Sequence, residues 1–370
     1  MINSTRIIGI TGNIATGKSV IRRMLANAGV FGIDADTLAN RMLYPGGSAY
    51  QQVIAAFGPS IYSDQEQISN KKLGEIVFSD PERLKQLEAL VHPHVNAAIL
   101  RRIKAARRPL ACIEAIKLLE SGLGEQCDQI WVSHAAYEQQ MQRLQSQRGL
   151  TATQARARIN AQPPQMEKLT RADVIINTET SFKDTWLRTC RALNDTIHTD
   201  KVRDLLHINM SQDWSAQPVN AFAGDHLEMA WHDLTGEDPA SLYEHLGLGM
   251  VLVILKNNRI QAFLIWENWN FTATLTEVHP AELLDTMPAL VCHAFEEHAL
   301  SHQAELLVLT GNVTEALGNH PQQCGYDQQG SRQIAYPAWQ TTVKKAAQGD
   351  NAEVWLKVIS QPFESGNRST

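Results

Sequence analysis

The stretch that decides the fold is a glycine-flanked loop ending in lysine and serine, Gly12-Asn13-Ile14-Ala15-Thr16-Gly17-Lys18-Ser19. It has the spacing G-x-x-x-x-G-K-[ST] of a phosphate-binding loop. An apolar run over Ile7–Ile10 precedes it, and a helical apolar pattern over Val20–Leu25 follows it. Because the motif requires this strand–loop–helix context, the sequence predicts a nucleotide-binding α/β domain.

The residues of this loop have distinct parts in binding a nucleotide. Glycines let the backbone fold tightly, so that N–H groups of the loop and of the following helix face the phosphate oxygens. We expect Lys18 to reach the β- and γ-phosphates of ATP and the Ser19 hydroxyl to join the Mg²⁺ shell. The candidate nucleotide-binding residues are Gly12, Asn13, Ile14, Ala15, Thr16, Gly17, Lys18 and Ser19.

Length and composition indicate a two-domain cytoplasmic protein without a membrane partner. At 370 residues the chain exceeds the size of a usual single core. No apolar run approaches the ~20 residues of a membrane span, and no signal-peptide pattern is present. The five scattered cysteines form no C-x-x-C pair, which is typical of reduced thiols rather than of a zinc site or a disulfide framework.

Charge divides the chain near residue 205. Residues 1–205 contain 26 Lys and Arg against 20 Asp and Glu, whereas residues 206–370 contain 7 against 19. We therefore expect one domain over 1–205 and a second over 206–370. The basic first domain suits a polyanionic small molecule, and the acidic second domain argues against a nucleic-acid partner.

Apolar runs alternate with helical patterns along the first domain, as in a parallel α/β sheet. The predicted strands are Arg6–Ile10, Val30–Ile33, Leu110–Ile113, Gln129–Val132 and Asp173–Asn177. The predicted helices are Pro81–Leu90, Tyr137–Arg148 and Phe182–Leu206. The basic segment Thr151–Leu169, broken at Pro163-Pro164, is predicted to form a helix pair with a hinge, acting as a lid over the phosphates.

Two carboxylates follow the second predicted strand, in Ile33-Asp34-Ala35-Asp36. Residues two apart on extended backbone share a face, and at the carboxyl end of a strand that face points into the ligand crevice. Phosphoryl transfer to a hydroxyl needs one residue to orient the acceptor and take its proton, and another to help hold Mg²⁺. Asp34 and Asp36 are the candidates, although an Asp at either position could instead cap a helix.

The ordered motifs of residues 5–195 resemble the dephospho-CoA kinase family. The resemblance is carried by ITGNIATGKS and IDAD, by the run LGEIVFSDPERLKQLEALVHPHV, and by RGLT, ARINAQ and ADVIIN. It implies a P-loop NTPase fold, a three-layer parallel sheet with a helical lid. It also implies transfer of the ATP γ-phosphate to the ribose 3′-hydroxyl of dephospho-CoA, the last step of CoA synthesis.

The resemblance implies roles for single residues as well. Asp36 is expected to orient the acceptor hydroxyl, and Asp34 to lie nearer the metal with Ser19. In the lid region, Arg143 is expected to neutralise charge on the transferred phosphoryl group, and Arg148 to contact the substrate. The alternative is that both arginines belong to a solvated basic helix face.

Three further residues each have two interpretations. His92, in a Leu-x-His-Pro element, either helps to cover the acyl-chain-bearing substrate or closes a turn before Pro93. Asn177 either approaches the adenine of ATP or caps a turn. Lys117 stands where the family has a leucine, and it either gains a substrate phosphate or points to solvent.

The second domain is predicted to be α+β. Its predicted elements are a hairpin over Met250–Ile265 with a turn at Asn257-Asn258, a strand over Phe271–Val278, a helix over Ala281–His302, a strand over Glu305–Leu309, and a strand pair over Arg332–Tyr336 and Val354–Ile359. This order resembles part of the Gcn5-related acetyltransferase fold. Because HPAELLD stands in place of the family's glycine-containing pyrophosphate signature, we expect a non-catalytic sensor, scaffold or self-association domain.

Two side-chain pairs of the second domain are ambiguous. His298 and His302, four apart on a predicted helix, could ligate a metal, but no third ligand is identifiable and a solvated polar face is predicted. Trp266 and Trp269 could stack on an adenine, although such aromatics are more often part of a core.

Two rival functions stay open at this point. The first is phosphorylation of another small alcohol, such as a nucleoside, by the same loop and carboxylates. The second is a nucleotide-binding regulator that holds ATP without turnover.

Overall fold

The computed structural model describes residues 5–63, 67–196, 208–210, 213–219, 225–310, 312–318, 320–330, 334, 337–346 and 353–359. Most of the predicted strand Arg332–Tyr336 and the end of the predicted helix beyond Thr196 lie outside these residues. The five cysteines are free thiols in this structure. Among the described helices, none has both the length and the apolar character needed to cross a membrane.

A five-stranded parallel sheet forms the first half of the protein, as predicted, in the order β2-β3-β1-β4-β5. Its strands are β1 (Arg6–Thr11), β2 (Phe31–Asp34), β3 (Leu110–Glu114), β4 (Gln129–His134) and β5 (Val174–Asn177). Alternate residues of β1 enter different cores, Ile7 on one face and Ile8 on the other. Both faces are therefore covered, which explains the almost continuous apolar strands.

The helices of this half occur in the order expected of a βαβ chain. They are α1 (Lys18–Asn27), α2 (Ala35–Met42), α3 (Tyr50–Phe57), α4 (Asn70–Ser79), α5 (Pro81–Ala106), α6 (Tyr137–Arg148), α7 (Ala152–Asn160), α8 (Gln165–Leu169) and α9 (Phe182–Thr196). The bounds of α6 are those predicted, and α7 and α8 confirm the predicted helix pair. Thr151 and Gln154 form a reciprocal capping box that fixes the start of α7.

The prediction that a helix ends at Leu90 is wrong, because α5 continues through Pro93 to Ala106. A proline inside a helix removes one backbone hydrogen bond and crowds the preceding turn. Here Val91, Val95 and Ile99 of the same helix are buried in the core beneath the sheet. Burial of this apolar face outweighs the local cost of the proline.

An eight-stranded sheet forms the second half, in the order β12-β13-β11-β10-β9-β8-β7-β6. Its strands are β6 (Ile208–Asn209), β7 (Trp214–Pro218), β8 (Met250–Lys256), β9 (Arg259–Trp269), β10 (Thr272–His279), β11 (Leu306–Leu309), β12 (Asp327–Gly330) and β13 (Glu353–Val358). Strands β10 and β11 pair in parallel, and the other pairs are antiparallel. The predicted hairpin is confirmed, with Asn257 and Asn258 both at positive φ (52° and 61°), as its two-residue turn requires.

Within the described residues of this half, seven helices accompany the sheet, and three details differ from prediction. They are α10 (Asp225–Thr235), α11 (Pro239–Leu248), α12 (Glu282–Thr286), α13 (Pro288–Ser301), α14 (Asn312–Leu317), α15 (His320–Gln323) and α16 (Pro337–Ala346). Helices α10 and α11 had no counterpart in the sequence analysis. The predicted helix 281–302 is two helices, because Pro288 disfavours helical backbone at Met287 (φ −140°, ψ 50°). The strand that pairs with β13 at the sheet edge is β12, ahead of the predicted 332–336.

The two halves share one hydrophobic core. Ile21 and Met24 of α1, together with Trp186 of α9, belong to the same buried cluster as Trp231 and Phe263 of the second half. The helix that follows the phosphate loop therefore packs against both sheets. This packing brings the second half to the edge of the nucleotide-binding loop.

Candidate active site

The backbone of the loop requires its two glycines. Gly12 has a φ of 149°, and a Cβ atom there would lie 2.3 Å from the Ser133 hydroxyl oxygen. Gly17 has a φ of 92°, and a Cβ atom there would lie 2.9 Å from the Thr178 side chain. Both conformations lie in the region that glycine alone adopts without strain. The two glycines of the motif are thus required on steric grounds, because no larger residue fits at position 12 or 17.

Lys18 and Ser19 begin α1 and lie at the carboxyl end of the central strand. The Lys18 side chain is buried, and its ammonium donates to the Asn13 carbonyl at 3.0 Å. Burial lowers the pKa of Lys18, against the raising effect of the Glu114 and Asp36 charges. The Ser19 hydroxyl donates to a carboxylate oxygen of Glu114 at 2.5 Å.

Three carboxylates meet where β2 and β3 end. Asp34 and Glu114 are register partners on these two parallel strands, and Asp36 follows in the first turn of α2. Asp34 accepts a hydrogen bond from the Thr37 N–H at 2.9 Å, so it does cap a helix. It also lines the cleft described below, so the two interpretations of Asp34 are compatible.

Asp36 is a carboxylate whose surroundings disfavour its charged form. Its side chain keeps access to solvent, yet the packing of neighbouring atoms withdraws much of its hydration. This desolvation, followed by the negative charges of Asp34 and Glu114, raises the pKa of Asp36 to about 6, with Lys18 opposing. The Ile116 N–H donates to the carboxylate at 3.4 Å. A carboxylate with this pKa is ionised at neutral pH and still basic enough to accept a proton.

Glu114 is the site residue that sequence reasoning missed. Its carboxylate accepts from Ser19 and pairs with the Arg22 guanidinium at 2.8 Å. The available signal was an acid at the end of a predicted strand next to the loop strand, where parallel α/β sheets collect ligand-binding groups. The 95-residue separation from Ser19 hid the contact.

The segment between α7 and α8 bonds directly to the loop. The Ile14 N–H donates to the Gln162 side-chain oxygen at 2.7 Å, and the Asn13 amide donates to the Pro163 carbonyl at 2.9 Å. Arg143 of α6 donates to the Ala15 carbonyl at 3.0 Å and to Thr178. These contacts place the predicted hinge at the loop.

A second cation of the lid, Lys168, was not predicted. It lies buried in α8 and donates to the Ile116 carbonyl at 2.6 Å. Desolvation lowers the pKa of Lys168, and the charges of Glu120 and then Asp36 oppose this shift in part. Lys168 and Lys18 therefore both act electrostatically on the carboxylate of Asp36.

A cleft of about 790 Å³, here called the main cleft, is lined by residues of both halves. The first half contributes four loop residues and four others to its lining: Ala15, Gly17, Lys18, Ser19, Asp34, Thr178, Arg143 and Arg148. The second half contributes Leu248, Asn268, Trp269, Asn270, Phe271, His302 and Gln303. Nothing in the sequence indicated this second wall, because it depends on how the two sheets pack together.

Several predicted site residues lie outside the lining of the main cleft. Asp36 is one of them: it lies in the first turn of α2 and not on extended backbone, so the prediction that Asp34 and Asp36 face the cleft together is wrong. Gly12, Asn13, Ile14 and Thr16 of the loop also lie outside the lining, as do the three residues described next.

His92 lies inside α5, where burial lowers its pKa, so it does not close a turn. Lys117 forms an ion pair with Glu88. The Asn177 side chain bonds both the backbone and the carboxylate of Glu179, which is the turn-capping alternative.

The prediction of a solvated His298–His302 face is wrong. Both histidines are buried, with their Nε2 atoms 3.2 Å apart, and the Trp266 indole donates to His298 Nδ1 at 3.1 Å. Burial is the largest cause that lowers the pKa of His302 to about 3 and that of His298 well below its usual value, so both rings are neutral at pH 7. The helical spacing was correct, but α13 turns this face toward the sheet.

Comparison with known proteins identifies the family of the first half. The family model described as dephospho-CoA kinase matches residues 6–184. The dephospho-CoA kinase of Geobacillus kaustophilus is 40% identical over 184 residues, covering 49% of this chain and 92% of that protein. The one from Symbiobacterium thermophilum is 40% identical over 183 residues, covering 77% of its length.

Two solved structures illustrate the comparison with known folds. A dephospho-CoA kinase from Campylobacter jejuni, 27% identical, covers 51% of this chain and 96% of its own with a TM-score of 0.40. An apo structure of RimL, a ribosomal L7/L12 alpha-N-protein acetyltransferase, is 13% identical. It covers 42% of this chain and 99% of its own with a TM-score of 0.28.

Proposed function

Because the chain belongs to the dephospho-CoA kinase family, we propose that it transfers the γ-phosphoryl group of ATP to the ribose 3′-hydroxyl of dephospho-CoA. The observation that carries this proposal is the meeting of Lys18, Ser19, Asp34 and Asp36 at one end of the parallel sheet. A donor phosphate on the loop and an acceptor hydroxyl at Asp36 would share this edge.

Each site residue has a role in phosphoryl transfer that follows from its position. Lys18 and the loop N–H groups bind the donor phosphates, while Arg143 and Arg148 offset the charge on the transferred group. Asp36 orients the acceptor hydroxyl and takes its proton, which its raised pKa favours at neutral pH. The lid contacts at Ile14 and Asn13 support closure of α7 and α8 over the loop during the reaction.

Mg²⁺ fits the oxygen atoms that surround Ser19. Within the described part of the chain, no set of three or more His, Cys, Asp and Glu side chains is arranged to hold a metal ion. Mg²⁺ commonly takes one or two protein oxygens and completes its shell with substrate phosphates and water. The Ser19 hydroxyl and Asp34 would hold it, with Glu114 orienting the serine. When bound, the ion neutralises charge on the β- and γ-phosphates.

The test is a substrate panel with labelled ATP and the full-length protein. We expect label to pass to dephospho-CoA and not to free nucleosides. Asp36→Asn should lower the rate about 10²- to 10⁴-fold, because it removes the proton acceptor while keeping the shape. Asp195→Asn, an exposed carboxylate on α9, is the matched control and should leave the rate unchanged.

Two results would overturn the proposal. Faster phosphorylation of a nucleoside than of dephospho-CoA would indicate a kinase of a different small alcohol. A measured rate that Asp36→Asn leaves unchanged would indicate that the cleft binds ATP in a regulatory role.

A further inference from the structure

The tip of the β9–β10 hairpin of the second half forms one wall of the main cleft. Trp269 ends β9, Asn270 and Phe271 make the turn, and all three line the cleft with the phosphate loop. The family model that accounts for the first half ends at residue 184. The hairpin tip is therefore a part of the cleft that the family resemblance does not explain.

The turn is held rigidly in an unusual conformation. Asn270 and Phe271 have φ values of 54° and 62°, a conformation that is strained for a bulky residue such as Phe271. The Phe271 ring contacts the guanidinium groups of Arg41 and Arg102, which lie 5.2 and 4.5 Å from its centroid. Its carbonyl accepts from the Glu305 N–H at 2.6 Å. First-half arginines thus fix a second-half turn at the cleft.

Trp269 presents an open aromatic surface to the cleft. It is 53% exposed, whereas Trp266, three residues earlier on the same strand, is fully buried. Leu248, another apolar side chain of this wall, is 54% exposed. The Lys345 ammonium lies 5.3 Å from the Trp269 ring centroid. An aromatic ring and a leucine exposed together beside a phosphate loop form a surface suited to a flat heterocycle.

The position of Trp269 indicates that it contacts the base of the acceptor nucleotide and not the base of the donor ATP. A smaller hollow of about 40 Å³ is lined by Trp269, Arg23 and Gly32, the last of which lies on β2 two residues before Asp34. No lid residue lines this hollow. Because the acceptor hydroxyl must reach the carboxylates after β2, a base on Trp269 belongs most naturally to the acceptor.

We propose that Trp269 is a stacking platform for the adenine base of a substrate nucleotide, a specificity-determining residue that the second half supplies to the kinase reaction. The inference rests on the proposed function for the identity of that nucleotide. Adenine occurs in both ATP and dephospho-CoA, and the location of the hollow assigns the base to dephospho-CoA.

The kinetic test measures kcat and KM for each substrate with the full-length protein. Trp269→Ala should raise KM for dephospho-CoA about five- to hundred-fold, the range for a base stacked on an aromatic ring, with kcat changed less than threefold. Trp269→Phe should restore most of the affinity. Trp214→Ala is the matched control, since Trp214 also lies near a lysine ammonium (Lys256, 5.2 Å) but does not line the cleft.

The outcomes separate the possible sources of the base. A rise in KM for ATP alone would support the platform but move it to the donor, overturning the assignment to dephospho-CoA. Values of KM within twofold of wild type for both substrates would overturn the platform itself.

A binding measurement makes the inference independent of turnover. Stacking of adenine on Trp269 should quench part of the tryptophan fluorescence when dephospho-CoA is added. The quench should disappear in Trp269→Phe and persist in Trp214→Phe. A Trp269-dependent quench without any phosphorylation would contradict the proposed function and leave the platform standing. Phosphorylation of dephospho-CoA without such a quench would support the proposed function and contradict the stacking platform.

Discussion

At the scale of single residues, Asp36 lies in an environment that disfavours its ionised form and increases its basicity. Desolvation and the negative charges of Asp34 and Glu114 raise its pKa, and Lys18 compensates only in part. Such a carboxylate is destabilising for the folded protein at neutral pH. The same property makes it a better proton acceptor than an ordinary aspartate.

The pH dependence of the reaction should report this residue. We expect kcat/KM for dephospho-CoA to fall about tenfold per pH unit below pH 6, because Asp36 must be ionised to accept the hydroxyl proton. Initial rates between pH 5 and pH 8 measure the profile. Asp34→Asn should move the inflection toward lower pH by removing one of the charges that raise this pKa. A profile that stays flat down to pH 5 would contradict the role of Asp36 as base.

Removing the charge should stabilise the fold. The folded-state pKa of Asp36, about 6, lies above its ordinary 3.8, so its contribution to unfolding free energy decreases as pH rises from about 4 to 6. Asp36→Asn should therefore raise the unfolding free energy at pH 7 by about 1 kcal/mol, a figure discounted for solvent screening. Urea titrations at pH 7 and pH 4.5 should show a smaller gain at the lower pH. Equal stabilities of variant and wild type at pH 7 would argue against a raised pKa.

At the scale of elements, helix α1 serves both halves of the protein. Its first turn carries Lys18 and Ser19, and its last residue, Asn27, is fully buried against the second half. The Asn27 amide donates to the carbonyls of Leu246 and Gly249 at 2.9 and 3.0 Å and accepts from the Val251 N–H at 2.8 Å. One side chain thus satisfies three backbone groups where α11 passes into β8.

Asn27→Ala should lower the unfolding free energy by about 3 kcal/mol, because it leaves these three buried backbone groups without their partner. Asn40→Ala, on the exposed face of α2, is the control and should change stability by less than about 0.5 kcal/mol. Urea denaturation at pH 7 measures both. A loss below 1 kcal/mol for Asn27→Ala would show that water replaces these bonds.

At the scale of the whole molecule, the division by charge is not a division of the core. Residues from β1, α1 and α9 share one buried cluster with residues from α10, α11, β8 and β9. The buried ion pair between Arg41 and Glu305 adds a further link between the halves. The two halves, which differ in charge composition, are therefore packed together through shared buried residues.

The full-length protein should unfold in one cooperative transition, since neither half keeps its apolar surface covered when the other unfolds. Calorimetry tests this through the ratio of calorimetric to van't Hoff enthalpy, which should be close to one. A fragment of residues 1–205 exposes Ile21, Met24 and Trp186, and we expect it to aggregate or to lose the thermal transition. Two resolved transitions, or a stable active fragment, would indicate independent domains.

The sequence by itself determined the features that depend on short stretches of chain. The phosphate loop, the strands and helices beside it, the helix α6 and the Asn257-Asn258 turn were all predicted, because steric and periodic requirements act over a few residues. The carboxylates after β2 were predicted for the same reason. The ordered motifs of residues 5–195 also identified the family.

Only the tertiary structure decided the features that depend on burial between distant segments. Pro93 remains helical because its helix packs on a core, and His298 and His302 are buried because α13 faces a sheet. Glu114 meets Ser19 across 95 residues, and Trp269 reaches the phosphate-loop cleft through the shared core. Local propensity contributes at most about 1 kcal/mol per residue outside proline, and burial of a whole apolar face exceeds it.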